Sequence, residues 1–216
     1  TTTLYTGDGN DDRSITNDAN AGDFKPDWIW AKQRNTTRHH MFVDSNRGAT
    51  KHLSSSLTNA ENTNANGFQA FETDGFQLGT DTDINQSSGT YVAWQWKANG
   101  GTTSSNSDGS ITSTVQANTT AGFSIVTYTG TGSNATIGHG LGATPRWIIL
   151  KERDADDNWS VFHTSVGNSG KLRLNGNNAT ITASTIFNDT SPTSSVYTTG
   201  TDGELNGSMV AYCFTE

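Results

Sequence analysis

A chain of 216 residues with 31% hydrophobic residues is long enough for one large all-β domain or for two domains of about 100 residues. A net charge of −8, with 13 Lys and Arg against 21 Asp and Glu, excludes the basic face that a nucleic-acid partner requires. No apolar run approaches the roughly 18 residues that cross a bilayer, and no basic, apolar leader stands at the amino terminus, so no membrane insertion is expected.

The apolar material is sparse and concentrated in large rings, among them six tryptophans, while Gly, Ser, Thr, Asn and Asp abound. That composition suits short strands joined by polar turns and argues against helical bundles. Thr1 in first place reads as a processed chain or one segment of a longer polypeptide. The single Cys213 cannot form an internal disulfide, which leaves stability to packing, oligomerisation or bound ligands.

In chain order, Leu4-Tyr5-Thr6-Gly7-Asp8-Gly9 predicts a strand running into a glycine turn, followed by a polar loop to Phe24. Pro26-Asp27-Trp28-Ile29-Trp30-Ala31-Lys32-Gln33-Arg34 predicts a buried central strand: proline suits the entrance, bulky residues follow, and Lys-X-Arg marks the return to solvent. Met41–Asp44 reads as its hairpin partner, and Leu53 to Leu57 as the next strand. Phe68, Phe71 and Phe76-Gln77-Leu78 supply further strands before the closing strand, Gly89 to Lys97. There Val92, Trp94 and Trp96 are expected to form the buried face, opposite Tyr91, Ala93, Gln95 and Lys97.

Asn99 to Thr120 is dominated by Gly, Ser, Thr and Asn and reads as a linker or a weakly packed crossover. Beyond it the pattern returns. Phe123–Gly132 repeats the Tyr-Thr-Gly-X-Gly opening, Pro145–Arg153 the tryptophan strand, Ser160–His163 its partner, and Gly207–Thr215 the closing strand. In Lys171–Asn175, alternation predicts Leu172 and Leu174 inward with Lys171 and Arg173 outward, and Cys213 falls where Gln95 falls, on the less buried side. A nearly constant offset between these matching segments predicts an internal duplication. The expected architecture is therefore all-β: two tandem antiparallel β-sandwich, jelly-roll or lectin-like domains over 1–100 and 121–216, with 101–120 between them. A single jelly roll from the whole chain is the alternative.

Tyr128-Thr-Gly-Thr-Gly, Ile137-Gly-His-Gly-Leu-Gly, Pro145-Arg-Trp-Ile-Ile-Leu-Lys, Trp159-Ser-Val-Phe-His and Val210-Ala-Tyr-Cys-Phe-Thr-Glu resemble tandem repeats of predicted virion structural and tail-fibre-like proteins of marine bacteriophages. The first half resembles an alternate copy, with Phe24-Lys-Pro-Asp-Trp-Ile-Trp-Ala-Lys and Asp74-Gly-Phe-Gln-Leu-Gly. The resemblance covers nearly all of the chain outside the linker. It implies an extracellular or virion-borne β-rich appendage module, lectin-like in character, and brings no catalytic residue set with it.

For ligand chemistry, flat rings beside amide and carboxylate groups suit sugars. Trp28, Trp94, Trp96 and Trp147 are expected in the core. Trp159, following the polar loop Asp154–Asn158, is the ring expected at the surface, with Asn158 and Asp157 as polar neighbours. His139, flanked by glycines in a turn, is a further ligand-binding candidate. Asp8, Asn10 and Asp12 alternate as Ca²⁺ ligands do, and Asp154 and Asp156 offer similar oxygens, although Arg13 stands where a calcium loop needs glycine. Solvated turns are the simpler reading of both. No nucleophile elbow, zinc-helix, P-loop or dinucleotide motif is present, so no enzyme and no resident cofactor are expected. The reading as a whole is a non-enzymatic appendage protein acting by self-assembly, as a trimer or helical array, and by adhesion to bacterial surface glycans. A monomeric carbohydrate-binding module and a glycan depolymerase are the alternatives.

Overall fold

The computed structural model describes residues 1–18 and 22–216, so part of the loop expected before Phe24 lies outside the described residues. The chain divides into two compact units, one of Thr1–Ser56 with Glu61–Gly101, the other of Leu57–Ala60 with Thr102–Glu216. Both are all-β and sandwich-like.

The first unit contains β1 (Thr2–Thr6), β2 (Arg13–Ile15), β3 (Trp28–Gln33), β4 (Met41–Asp44), β5 (Lys51–Ser54), β6 (Asn62–Thr63), β7 (Phe68–Glu72), β8 (Gly75–Leu78), the one-turn helix α1 (Thr82–Asn85) and β9 (Thr90–Trp96). Its large sheet runs β1-β9-β3-β4-β5-β6, and a small sheet runs β2-β8-β7. Every pairing is antiparallel.

The second unit contains β10 (Ser104–Asn106), β11 (Ser113–Asn118), β12 (Phe123–Thr129), β13 (Ala135–Gly138), β14 (Trp147–Glu152), β15 (Ser160–His163), β16 (Gly170–Arg173), β17 (Ile181–Thr182), α2 (Ser184–Phe187), β18 (Val196–Thr199), a 3₁₀ turn at Gly203–Leu205 and β19 (Ser208–Phe214). Its large sheet runs β10-β11-β12-β19-β14-β15-β16-β17, with β13 and β18 paired apart from it. From β12 onward this is the strand order of the first unit. The registers agree as well: Trp28 faces Asp44 and Trp96 as Trp147 faces His163 and Phe214. The stretch expected as a linker instead supplies β10 and β11, in which Ser113, Val115 and Gln116 are buried.

In the first unit Ile29, Ala31, Met41, Val43 and Ala93 of the large sheet pack on Ile15, Phe68, Phe76 and Leu78 of the small one. The equivalent cluster of the second unit joins Val126, Ile148, Leu150, Phe162, Ala211 and Cys213 to Ile137 and Tyr197. This overturns the expected orientation of the first closing strand, and in the second, where Val210, Tyr212 and Phe214 are buried too, the expectation for Cys213. Tyr91, Ala93 and Gln95 are the buried set, at 0, 0 and 2% exposure, whereas Trp94 and Trp96 are half-buried. Cys213 likewise faces the intersheet core at 0% exposure, and burial pushes its thiol up to about 12. The physical reason is that a sandwich covers the face its second sheet reaches. Small residues let that sheet approach, and the large rings stack on the opposite face instead. There Trp28 stacks on Trp96 at 4.3 Å, and Trp30 meets Phe42 at 4.7 Å and Trp94 at 5.6 Å.

The β16 alternation is also reversed. Leu172 and Leu174 are half-buried, while Lys171 is buried and its ammonium lies 3.0 Å from Glu204 and 3.6 Å from Asp202. Arg173 adds a 2.6 Å ion pair to Glu204, and the Ser160 hydroxyl donates to the same carboxylate at 2.8 Å. Burial works to raise the Glu204 pKa, but Lys171, Ser160 and Arg173 outweigh it and hold the carboxyl below its ordinary value. A cation inside is tolerated here because its charge is matched there. In the first unit Arg47 plays a comparable part, bound to Asp44 at 2.6 Å and Glu61 at 2.7 Å with its side chain fully buried.

Lys171→Ala is expected to cost about 3 kcal/mol, since Glu204 would lose its ammonium partner in a half-buried site; the midpoint of chemical unfolding measures it. His52, buried against Phe68, has its pKa lowered to about 4, chiefly by burial. The unfolded chain therefore binds the proton first on acidification. Stability is expected to fall as pH drops from about 6.5 toward 4, by about 3 kcal/mol. His52→Gln should flatten that part of the pH–stability curve.

Candidate functional site

In the second unit the lysine of the tryptophan strand does not mark a return to solvent, whereas in the first Lys32 is half-buried and Arg34 exposed. Lys151 is 1% exposed, and its ammonium donates to the carbonyls of Glu152 and, at 2.9 Å, Ala155. Lys32 donates in the same way to the carbonyls of Gln33 and, at 2.9 Å, Thr36. A long aliphatic stem carries the charge to a turn whose carbonyls point inward, and so each lysine ties down the loop that follows it. Burial is the main reason that the Lys151 pKa is lowered.

A second bond fixes each loop to the closing strand. The Asn35 carboxamide oxygen accepts from the Thr90 amide at 3.2 Å, and the Asp154 carboxylate accepts from the Ser208 amide at 3.1 Å. Between these attachments lies the end residue of the tryptophan strand, Gln33 or Glu152, 2% and 7% exposed. Each has one side-chain oxygen, Gln33 Oε1 or Glu152 Oε2, that finds no hydrogen-bond partner among the described residues. The Glu152 pKa is raised, by burial first and then by the nearby Asp157.

In the first unit this arrangement opens into a cleft of about 420 Å³ lined by Gln33, Asn35, Thr36, Arg38, Gln86, Ser87, Ser88 and Gly89. Gln33 and Gly89 form the buried floor, and the remaining six are exposed. The Gln33 amide donates to Asn35 Oδ1 at 3.1 Å. Gly89 is required at the floor, because a Cβ there would lie 2.7 Å from Gln33 Nε2 and 2.8 Å from the Tyr91 hydroxyl. Ser88 holds φ at +64°, a conformation that a serine adopts only at some cost. Arg38 reaches the rim and pairs with Asp83 at 2.8 Å. The second unit has a smaller cleft of about 280 Å³ at Thr112, Thr114, Thr127, Tyr128, Thr129, Arg153 and Ser208. Both linings are rich in hydroxyl groups, and each includes one guanidinium. Neither contains a carboxylate, imidazole or thiol.

The candidates read from the sequence lie elsewhere. Trp159 is 0% exposed, and its indole N–H donates to the Leu57 carbonyl at 3.2 Å, so it is core and not a surface platform. Its loop does not lift it into solvent because its backbone amide is held by Asn175 Oδ1 at 3.0 Å. Asn158 accepts from Asn175 at 3.0 Å and donates to Glu204 at 3.4 Å. It serves the buried charge network, while Asp157 is half-buried and acts on Glu152 and Lys151. His139 is likewise buried, its ring nitrogens 3.2 Å from the Thr193 carbonyl and the Leu141 amide. Both ring nitrogens are therefore engaged by backbone, and burial lowers its pKa.

The oxygens proposed for Ca²⁺ do not converge. Asp8 accepts from the Asn10 amide at 2.9 Å and pairs with Arg13 at 3.4 Å. The Asn10 carbonyl accepts from Asn85 at 2.8 Å, and Asp12 is in the left-handed region. Asp154 is taken by Ser208, and Asp156 accepts from the Ala60 amide at 2.7 Å. Among the described residues no group of three or more His, Cys, Asp or Glu side chains is placed to hold a metal ion, nor is any helix long and apolar enough to cross a membrane.

Residues 1–216 match the family model described as Domain of unknown function (DUF7483). No curated protein and no solved structure matches the chain.

Trp159→Ala is expected to lower stability by about 3–5 kcal/mol, the cost of emptying a large core position. A ring standing in water would leave the unfolding midpoint nearly unchanged.

Proposed function

The chain belongs to the DUF7483 family, a domain of unknown function, and we propose that it is a non-catalytic module of a virion or other extracellular appendage, working by assembly and by adhesion to bacterial surface glycans. The observation that carries the adhesion is the cleft over Gln33 and Gly89. Its exposed amide, hydroxyl and guanidinium groups offer the donors and acceptors that sugar hydroxyls need, on a loop tethered by Lys32 and Asn35 and therefore largely pre-formed. Acidic glycans are the favoured class on the proposal that a glycan carboxylate exchanges with Asp83 as the partner of the exposed Arg38 at the rim.

Recurrence of one strand order in both units supports an ancestral duplication, and with it a chain of serially repeated modules. The resemblance to phage fibre repeats and the acidic, turn-rich composition point the same way.

An array of bacterial surface polysaccharides probed with the intact chain tests the reading. Binding to acidic members is expected, with at least a tenfold loss in Asn35→Ala and Arg38→Ala. Silence across the array, indifference to both substitutions, or release of shortened glycan would overturn it.

A further inference from the structure

The two units differ at one edge of the large sheet. In the second, β12 is flanked by β19 on one side and by β11, itself extended by β10, on the other. In the first, β1 occupies the place of β12, yet among the described residues no strand pairs with its outer side.

Antiparallel ladders alternate, and the alternation shows which groups that edge presents. Thr1 and Gln95 exchange backbone hydrogen bonds at 2.9 Å, and the Gly7 amide donates to Gly89 at 2.7 Å. Thr3 and Tyr5 therefore also direct their amides and carbonyls toward β9, while those of Thr2, Leu4 and Thr6 point away from the sheet. All three are exposed, and Leu4, at 61%, is the exposed large hydrophobic residue among those described. In the second unit the residues at the register positions of Thr2 and Leu4 are Ile125 and Thr127. They lie opposite Gln116 and Thr114 of β11. The fold thus already accepts an antiparallel strand at this edge.

We propose that β1 pairs antiparallel with β1 of a second copy of the chain, about a two-fold axis at Leu4. Thr2 then lies opposite Thr6 of the other copy, and the two Leu4 side chains meet. Two sheets merge into one through about six main-chain hydrogen bonds. Charge favours this edge for self-association: Thr2–Thr6 carries no ionisable acid or base other than the Tyr5 phenol, in a chain of net charge −8. The other edges are less suited. β6 and β17 are two residues long, β10 is three, and β7 is interrupted by a bulge and bears Glu72, devices that discourage pairing. A pair of five-residue strands buries less than a standard interface of about 1,200–2,000 Å². The contact is therefore weak between free copies and gains strength where copies are arrayed. The inference rests on the reading that the chain works by assembly and is independent of the glycan cleft.

Sedimentation velocity on the intact chain from about 10 µM to 1 mM should show a reversible monomer–dimer equilibrium. Leu4→Pro deletes an outward amide without touching the β9 ladder, and Leu4→Lys places a charge on the axis. Each is expected to weaken dimerisation at least tenfold while glycan binding stays as in the parent. A parent monomeric over the whole range, or both variants associating like the parent, overturns strand pairing and leaves the adhesion reading standing. A Leu4-dependent dimer that binds no glycan supports strand pairing and sinks adhesion alone.

Discussion

In each unit the closing strand is hydrogen-bonded along both of its edges, β9 between β1 and β3 and β19 between β12 and β14, and the rest of the architecture follows from that double pairing. A strand held on both sides cannot shift by one residue without turning every side chain over. Its register therefore fixes which residues of its neighbours meet the small sheet. Ala93 and Ala211, both fully buried, keep that face shallow enough for β8 or β18 to close over it. The large rings are left to the other side, where Trp28 and Trp96 or Trp147 and Phe214 stack.

The same strand organises the polar chemistry. Where it begins, Gly89 and Gly207 lie against Gln33 and Glu152, and the amides of Thr90 and Ser208 are capped from the loops after β3 and β14. Lys32 and Lys151 complete these loops from within. Fixed backbone at that end of the first unit holds exposed Asn, Ser, Thr and Arg side chains around the cleft.

Buried charge is handled differently in the two units, although their strand order is the same. Arg47 satisfies Asp44 and Glu61 in the first, whereas Lys171 and Arg173 converge on Glu204 in the second. Each network secures an outer hairpin of its sheet by matched charges, so that removing any one member is costly. The networks sit on residues that do not correspond between the units, as does the extra pair of strands flanking β12. Local solutions differ around a common strand order.

The sequence by itself determined the all-β class, the tryptophan strands with their hairpin partners, and the recurrence of both in the second half, because alternation, proline entrances and glycine turns are local properties of the chain. It did not determine which face of an alternating strand is covered. Hydrophobic bulk points Trp94 inward and the match to Gln95 points Cys213 outward, but coverage depends on where a distant second sheet lands. For the same reason Lys171, read from its charge as solvated, proved buried beside carboxylates some thirty residues away in sequence, and Trp159, read from its polar flank as exposed, proved to be core. The cleft draws on two segments about fifty residues apart, and β11 is a strand only because β12 offers it an edge. Such facts belong to tertiary structure, since burial and pairing are decided by what the rest of the chain brings to each place.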